Sequence, residues 1–157
     1  MPARRVDAQR LLAALTAQLA ALGVEPYAGP LTAAALGDAC LQAVLAAIDA
    51  GLDPEREALR GATIYTLARL EALAPGRAVE VRVPPFGAIQ CVAGPRHSRG
   101  TPPNVIETDP QSWIMLAAGR TDWPAAVANG LVRASGPRAD LSAYLPVVST
   151  SPSHGPD

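Results

Sequence analysis

The first half of the chain carries its apolar residues at helical spacing. Leucines recur at i, i+3, i+7 and i+10 from position 12, which predicts a helix over about residues 3–22. Apolar residues at every fourth position from 36 to 48 predict a second helix over 31–50. A third is predicted over 53–74, with Asp53 as its cap and Pro54 at its first position.

At position 78 the period of the pattern changes from 3.6 to 2. Val79, Val81 and Val83 alternate with charged residues, as in a strand with one buried face. Residues 87–92 predict the next strand, and the Pro84-Pro85 turn between the two strands favours antiparallel pairing. Further predicted elements are a strand at 104–108, a helix at 109–119, a helix at 123–129, a strand at 131–134 and a last short helix at 138–145.

Strands in the middle of the chain, flanked by helices and joined by tight connections, predict an α+β fold. The sheet is expected to be antiparallel or mixed and to be covered by helices. We expect residues 1–52 to form a helical pair packed on a main domain at 53–147, and residues 148–157 to form a disordered tail.

Charge and composition exclude several classes of protein. The formal net charge is −1, and all 13 basic residues are arginines, as GC-rich codon usage would produce. A nucleic-acid binder or a binder of anionic membranes needs an excess of cations. No apolar run is long enough to span a membrane, so no integral membrane association is expected. The two cysteines, Cys40 and Cys91, are too few for a disulfide framework, which favours a cytoplasmic location.

The sequence offers little catalytic chemistry. It has no phosphate-binding glycine loop and no nucleophile elbow, and its two histidines, His97 and His154, are too few for a histidine-based metal site. A Cys91–His97 pair can be written down, but a small buried hydrophobic residue explains Cys91 equally well. We therefore expect no catalytic residue, no metal and no cofactor.

One segment is locally basic. Between positions 77 and 99 four arginines face a single acid, Glu80, and His97 can add a further charge at low pH. Clustered guanidinium groups suit a carboxylate or a phosphate. They could equally form exposed ion pairs with Glu107 and Asp109. The arginines are Arg77, Arg82, Arg96 and Arg99.

Two tryptophans form a second feature in a chain with few aromatic residues. Trp113 and Trp123 lie on neighbouring predicted helices and could wall an apolar cavity. They could also fill a core that is otherwise built from Ala, Leu and Val. The pattern alone leaves both interpretations open.

Three segments resemble the bacterial sterol carrier protein orthologue family. They are RGAT at 60–63, VEVRVPPFGAIQ at 79–90 and GPRHSRGTPPNVIETDP at 94–110, of which the PRHSRGTPPN loop is the most specific. Farther along, Asp109-Pro110, Trp113, Leu116, Gly119 and Trp123 resemble the closing pattern of the wider sterol carrier fold. The resemblance covers roughly residues 53–147.

The resemblance implies an apolar tunnel between a curved sheet and its helices, which would hold a fatty acyl chain, an acyl-CoA or a sterol. A carboxylate or phosphate headgroup would then meet Arg82, Arg96, His97 and Arg99. The same fold is appended to mycothiol-dependent maleylpyruvate isomerases, but their metal histidines lie on a separate helical bundle. The helices before Asp53 contain no His, so that activity is not carried over. The implied apolar walls are Leu67, Leu70, Phe86, Ile89, Trp113, Leu116, Trp123, Val127, Leu141 and Tyr144.

Three functional hypotheses follow. The leading one is a non-catalytic binder of a hydrophobic small molecule, either an anionic lipid or an acyl-CoA. The alternative is a structural or interaction protein that keeps the fold without a tunnel, with the Ala-rich second helix as a surface for a homodimer or another partner. An enzyme acting on an acyl-CoA or a thiol conjugate through His97 comes third.

Overall fold

The computed structural model describes residues 7–94 and 104–148. Over these residues the chain forms an α+β fold, as predicted. The helices are α1 Ala8–Leu22, α2 Ala33–Asp49, α3 Arg56–Leu73, α4 Pro110–Ala117 and α5 Trp123–Ala128. The strands are β1 Val79–Val83, β2 Gly87–Cys91, β3 Val105–Thr108 and β4 Val132–Ser135.

Short polar side chains set where most helices begin. Asp7 accepts a hydrogen bond from the Gln9 N–H at the start of α1, so this helix begins five residues later than predicted. Asp109 and Asp122 cap α4 and α5 in the same way. Each of these two helices also has a proline in its first turn.

The start of α3 differs from the prediction. Asp53 does not cap it; the N-cap is Glu55, whose side chain makes no capping hydrogen bond. Instead the Glu55 N–H donates to the side-chain oxygen of Gln18 at 2.7 Å. Gln18 is buried on α1. A tertiary contact from another helix thus replaces the local cap, which sequence spacing does not reveal.

The four strands form one mixed sheet in the order β2-β1-β3-β4. β1 pairs antiparallel with β2, as the tight turn predicted, and parallel with β3, while β4 pairs antiparallel with β3. Val79, Val81 and Val83 face the helices and are fully buried. The opposite face carries partly exposed charged residues such as Glu80 and Arg82. The main core therefore lies between the helices and one face of the sheet.

The helices pack in a continuous layer. α1 and α2 pack against each other and against α3, and α3 packs in turn against α4 and β2. Leu15, Leu41 and Leu45 are buried among the first three helices. Thus α3 is the element that joins the N-terminal helices to the sheet.

Two turns hold the far end of β2. Val92 has a left-handed backbone, with φ of 66°, which is costly for a β-branched residue. Its N–H donates to the Ala74 carbonyl, and its own carbonyl accepts from the Ala78 N–H. Gly76 lies against this turn with φ of 148°, and an added Cβ would come within 2.1 Å of the Val92 oxygen. Only glycine fits there.

The predicted helix at 138–145 is wrong. This segment forms turns, because its backbone bonds span only two or three residues, as from the Tyr144 N–H to the Leu141 carbonyl, and side chains take up other backbone groups. Hydrogen bonds from the Ser142 side chain and from its N–H, the latter at 2.8 Å, lower the pKa of the Asp140 carboxylate. The Arg138 N–H donates to the side-chain oxygen of the buried Asn104, also at 2.8 Å.

Candidate functional site

A groove runs between α3 and β2, which is an edge strand of the sheet. It has a volume of about 980 Å³ and is open to solvent along its length. One wall comes from α3 and the other from residues 85–90, with Pro75, Gly76 and Arg77 at one end. The α3 wall consists of Ile64, Leu67, Ala68 and Glu71.

Helix and strand geometry explain how these residues come together. The four α3 residues are spaced i, i+3, i+4 and i+7, so they share one face of the helix. α3 and β2 run in the same direction. At one end Arg56 lies over the ring of Phe86, and at the other the Ala74 carbonyl accepts from the Val92 N–H at 2.7 Å.

Small side chains leave the space between the two walls. Ala68 is exposed, and its short side chain does not extend far across the groove. Gly87 has no side chain, and a Cβ there would already be in van der Waals contact with Leu67 at 3.6 Å. Bulkier residues at these two positions would narrow the groove.

Charged groups are distributed unevenly along the groove. Glu71 and Arg77 both line the end at which α3 finishes. Glu80 also borders this end, but its carboxylate is held by Arg82 at 2.7 Å on the outer face of the sheet. At the Phe86 end the nearest charge is the Arg56 guanidinium, 5.1 Å from the ring centre.

The neighbouring thiols are not reactive groups. Burial, and to a smaller extent the charge of Glu71, raises the pKa of Cys91 to about 11. Burial alone raises the pKa of Cys40 to about 11. Both cysteines are free, and both are neutral near pH 7.

The structure separates the predicted apolar walls into groups. Leu67, Phe86 and Ile89 come together on the groove. Four others are buried inside the core, with at most 1% of their surface exposed. The Trp113 N–H donates to the Thr66 hydroxyl at 2.8 Å, so this tryptophan has a fixed partner within the core. The four core residues are Leu70, Trp113, Leu116 and Leu141.

The remaining predicted wall residues lie elsewhere. Trp123 is buried at the start of α5, and Tyr144 is partly buried in the C-terminal turns. Val127 is 42% exposed and lines a second cleft of about 430 Å³ beside β4. None of these three is among the residues that line the groove.

The predicted headgroup residues are also divided. Arg82 lies on the outer face of the sheet, where it lines the second cleft and binds Glu80. Arg96, His97 and Arg99 lie outside the residues that the structure describes.

Sequence reasoning missed most of the residues that line the groove, including Ile64 and Ala68, and it did not predict that Arg56 lies over Phe86. The signal was available: α3 carries a second apolar stripe beside the one that faces the core. Ile64 and Ala68 are the clearest members of this stripe, at i and i+4. A search for one core face per helix overlooks such a stripe.

In the described ranges 7–94 and 104–148, no group of three or more His, Cys, Asp or Glu side chains lies close enough to hold a metal ion. Likewise, no helix in these ranges is both long and apolar enough to cross a membrane.

The sequence matches the pattern of a known protein family. The pattern of a family described as bacterial SCP ortholog matches residues 55–147, which is more than half of the chain. This range includes α3, the whole sheet and therefore both walls of the groove. No curated protein matches the sequence.

Proposed function

The chain belongs to the bacterial SCP ortholog family. We propose that it binds a lipid without transforming it, and that this lipid is a fatty acid, an acyl-CoA or a sterol-like molecule. The groove between α3 and β2 is the site we propose. The observation that carries this proposal is the joint lining by Ile64, Leu67, Phe86 and Ile89.

The dimensions of the groove suit a chain-shaped ligand. β2 has five residues, so the groove beside it extends about 16 Å at ~3.3 Å per residue. A ligand of that shape would remove several methylene groups from water, each worth about 0.8 kcal/mol. Leu67 and Phe86 are already packed and form the floor, while Ile64 and Ile89 are partly exposed and would be covered by the ligand.

This proposal also includes a cytoplasmic location. The free, buried thiols of Cys40 and Cys91 support it, since cysteines remain reduced in that compartment. The headgroup role suggested by the sequence for Arg82, Arg96, His97 and Arg99 stays a prediction.

The test is to fill the groove without disturbing the core. Ala68 is exposed and lines the groove, so Ala68→Phe places a ring where the acyl chain would lie. Ala13→Phe on α1 is the matched control, since it makes the same change at another exposed helical alanine.

We expect a fluorescent fatty acid to bind the unaltered protein and Ala13→Phe alike, and Ala68→Phe at least about tenfold more weakly, a loss of ~1.4 kcal/mol. Native mass spectrometry of the purified protein should show bound lipid. Unchanged binding in Ala68→Phe, or no binding in any of the three proteins, would contradict the proposal.

A second candidate function is favoured by the edge of the sheet. β2 has no strand beyond it among the described residues, and its sequence GAIQC carries no charge. Uncharged edges invite pairing with another strand. We propose, as the alternative, that this edge pairs with a second copy of the chain. Light scattering would then give a mass that rises with concentration. Ala88→Lys, which puts a charge on the edge, should abolish that rise.

A further inference from the structure

The two ends of the groove differ in charge. At the end where α3 begins, Arg56 lies over Phe86, and Arg60 follows one turn later on the same stripe of the helix. Both arginines help to lower the pKa of Glu57, after the larger effect of its hydrogen bond to Arg10. The positive potential of this end is thus felt by a neighbouring side chain.

Arg56 is available to a ligand. It is exposed, and within the described residues it forms no salt bridge. The nearest acid on its own helix, Glu57, is already bound by Arg10 through two hydrogen bonds of 2.8 and 3.0 Å. A guanidinium over an aromatic ring keeps its N–H donors directed outward in its own plane.

The opposite end does not favour an anion. Glu71 and Glu80 both line it, and together they offset the charges of Arg77 and Arg82. The Glu71 charge also raises the pKa of the buried Cys91 thiol, so its field reaches the base of the groove. This end therefore has no excess of positive charge to attract an anionic headgroup.

We propose that the groove binds an anionic amphiphile in a single orientation, with its carboxylate or phosphate at Arg56 and its chain running along Ile64 and Leu67 toward Glu71. This inference rests on the proposed function, because it concerns the same groove. It adds the residue that holds the anionic headgroup and the end of the groove at which the headgroup lies. It also moves the principal headgroup contact away from the arginines that the sequence singled out.

The experiment compares two ligands that differ only in the headgroup. Dodecanoate and 1-dodecanol are titrated at pH 8 by calorimetry against the unaltered protein, Arg56→Gln and Arg133→Gln. Arg133 is exposed on β4, so its variant makes the same charge change away from the groove. Binding of dodecanol reports whether each variant keeps an intact groove.

We expect the unaltered protein to prefer dodecanoate by about tenfold, as for one charge-assisted contact near the surface. Arg56→Gln should remove that preference while leaving dodecanol binding unchanged, and Arg133→Gln should alter neither. Added salt should weaken dodecanoate binding more than dodecanol binding.

Other outcomes separate the inference from the proposed function. Equal binding of both ligands to the unaltered protein would overturn the anion subsite while leaving the groove as an acyl site. Loss of the preference in Arg77→Gln or Arg96→Gln, but not in Arg56→Gln, would overturn the orientation. Failure of both ligands to bind would overturn the proposed function itself.

Discussion

The hydrogen bond between Trp113 and Thr66 offers a test of whether the predicted tunnel wall is instead solid core. Both side chains are fully buried, and the indole N–H donates to the hydroxyl oxygen at 2.8 Å. The hydroxyl itself donates back to the Ala62 carbonyl at 2.7 Å. Thr66→Val keeps the shape of the side chain but removes the acceptor, which leaves a buried N–H without a partner.

The magnitude follows from that unsatisfied donor. A buried polar group that loses its partner costs about 1–3 kcal/mol. For a chain of this length, each kcal/mol lowers Tm by roughly 2–4 °C. We therefore expect Thr66→Val to lower the free energy of unfolding by about 2 kcal/mol, as measured by urea denaturation, with an unchanged m-value.

A double-mutant cycle isolates the hydrogen bond from the rest of the substitution. In a Trp113→Phe background the indole N–H is absent. Adding Thr66→Val there should lower the free energy of unfolding by less than about 0.5 kcal/mol. Neither substitution should change acyl-chain affinity, because Trp113 does not line the groove. An equal cost of Thr66→Val in both backgrounds would show that the hydrogen bond is not what stabilises this part of the core. Weaker ligand binding in Trp113→Phe would return the tryptophan to the ligand site.

Three further predictions concern the backbone, the surface and the thiols. Gly76→Ala should destabilise the protein by more than about 1 kcal/mol, because its Cβ would collide with the backbone of Val92 at the end of β2. Gly51→Ala meets no neighbouring atom and should be destabilised only by the positive φ of that residue. Chemical denaturation of the two variants tests the difference. Arg10 lowers the pKa of Glu57, so their ion pair stabilises the fold at any pH above the pKa that Glu57 has in the unfolded chain. This stabilisation is lost as the pH falls through the lower pKa of Glu57 in the folded protein. Arg10→Gln should therefore reduce stability at pH 7 and leave it unchanged at pH 2. Cys91 should react with a disulfide reagent at pH 8 only after unfolding, and rapid reaction of the native protein would contradict its burial and raised pKa.

Periodic segments were predicted well because local pattern and tertiary burial agree there. The alternation at Val79, Val81 and Val83 predicted both β1 and its buried face, and the following turn predicted the antiparallel partner. Asp109-Pro110 predicted the start of α4, because the Asp109 carboxylate caps the helix by accepting a hydrogen bond from the Ser112 N–H, only three residues away. In each case the interacting atoms are close in sequence.

The candidate site was predicted only in part. Leu67, Phe86 and Ile89, predicted as walls of an internal tunnel, lie together on a surface groove, and their role in binding stays a prediction. Trp113 was equally consistent with a wall and with a core, and the pattern of large apolar residues does not distinguish them. The position of Arg56 over Phe86 joins residues 30 positions apart, and no local spacing encodes it.

The sequence by itself determined the order and type of the elements, the buried face of β1 and the family to which residues 55–147 belong, because these depend on local periodicity, capping and motif. Only the tertiary structure decided that α3 lies beside an edge strand, that small residues at 68 and 87 leave a groove there, and that the two ends of this groove differ in charge. It also replaced the expected cap of α3 by Gln18 and the expected last helix by turns. These features arise from contacts between elements far apart along the chain, where packing and electrostatics, rather than periodicity, select the arrangement.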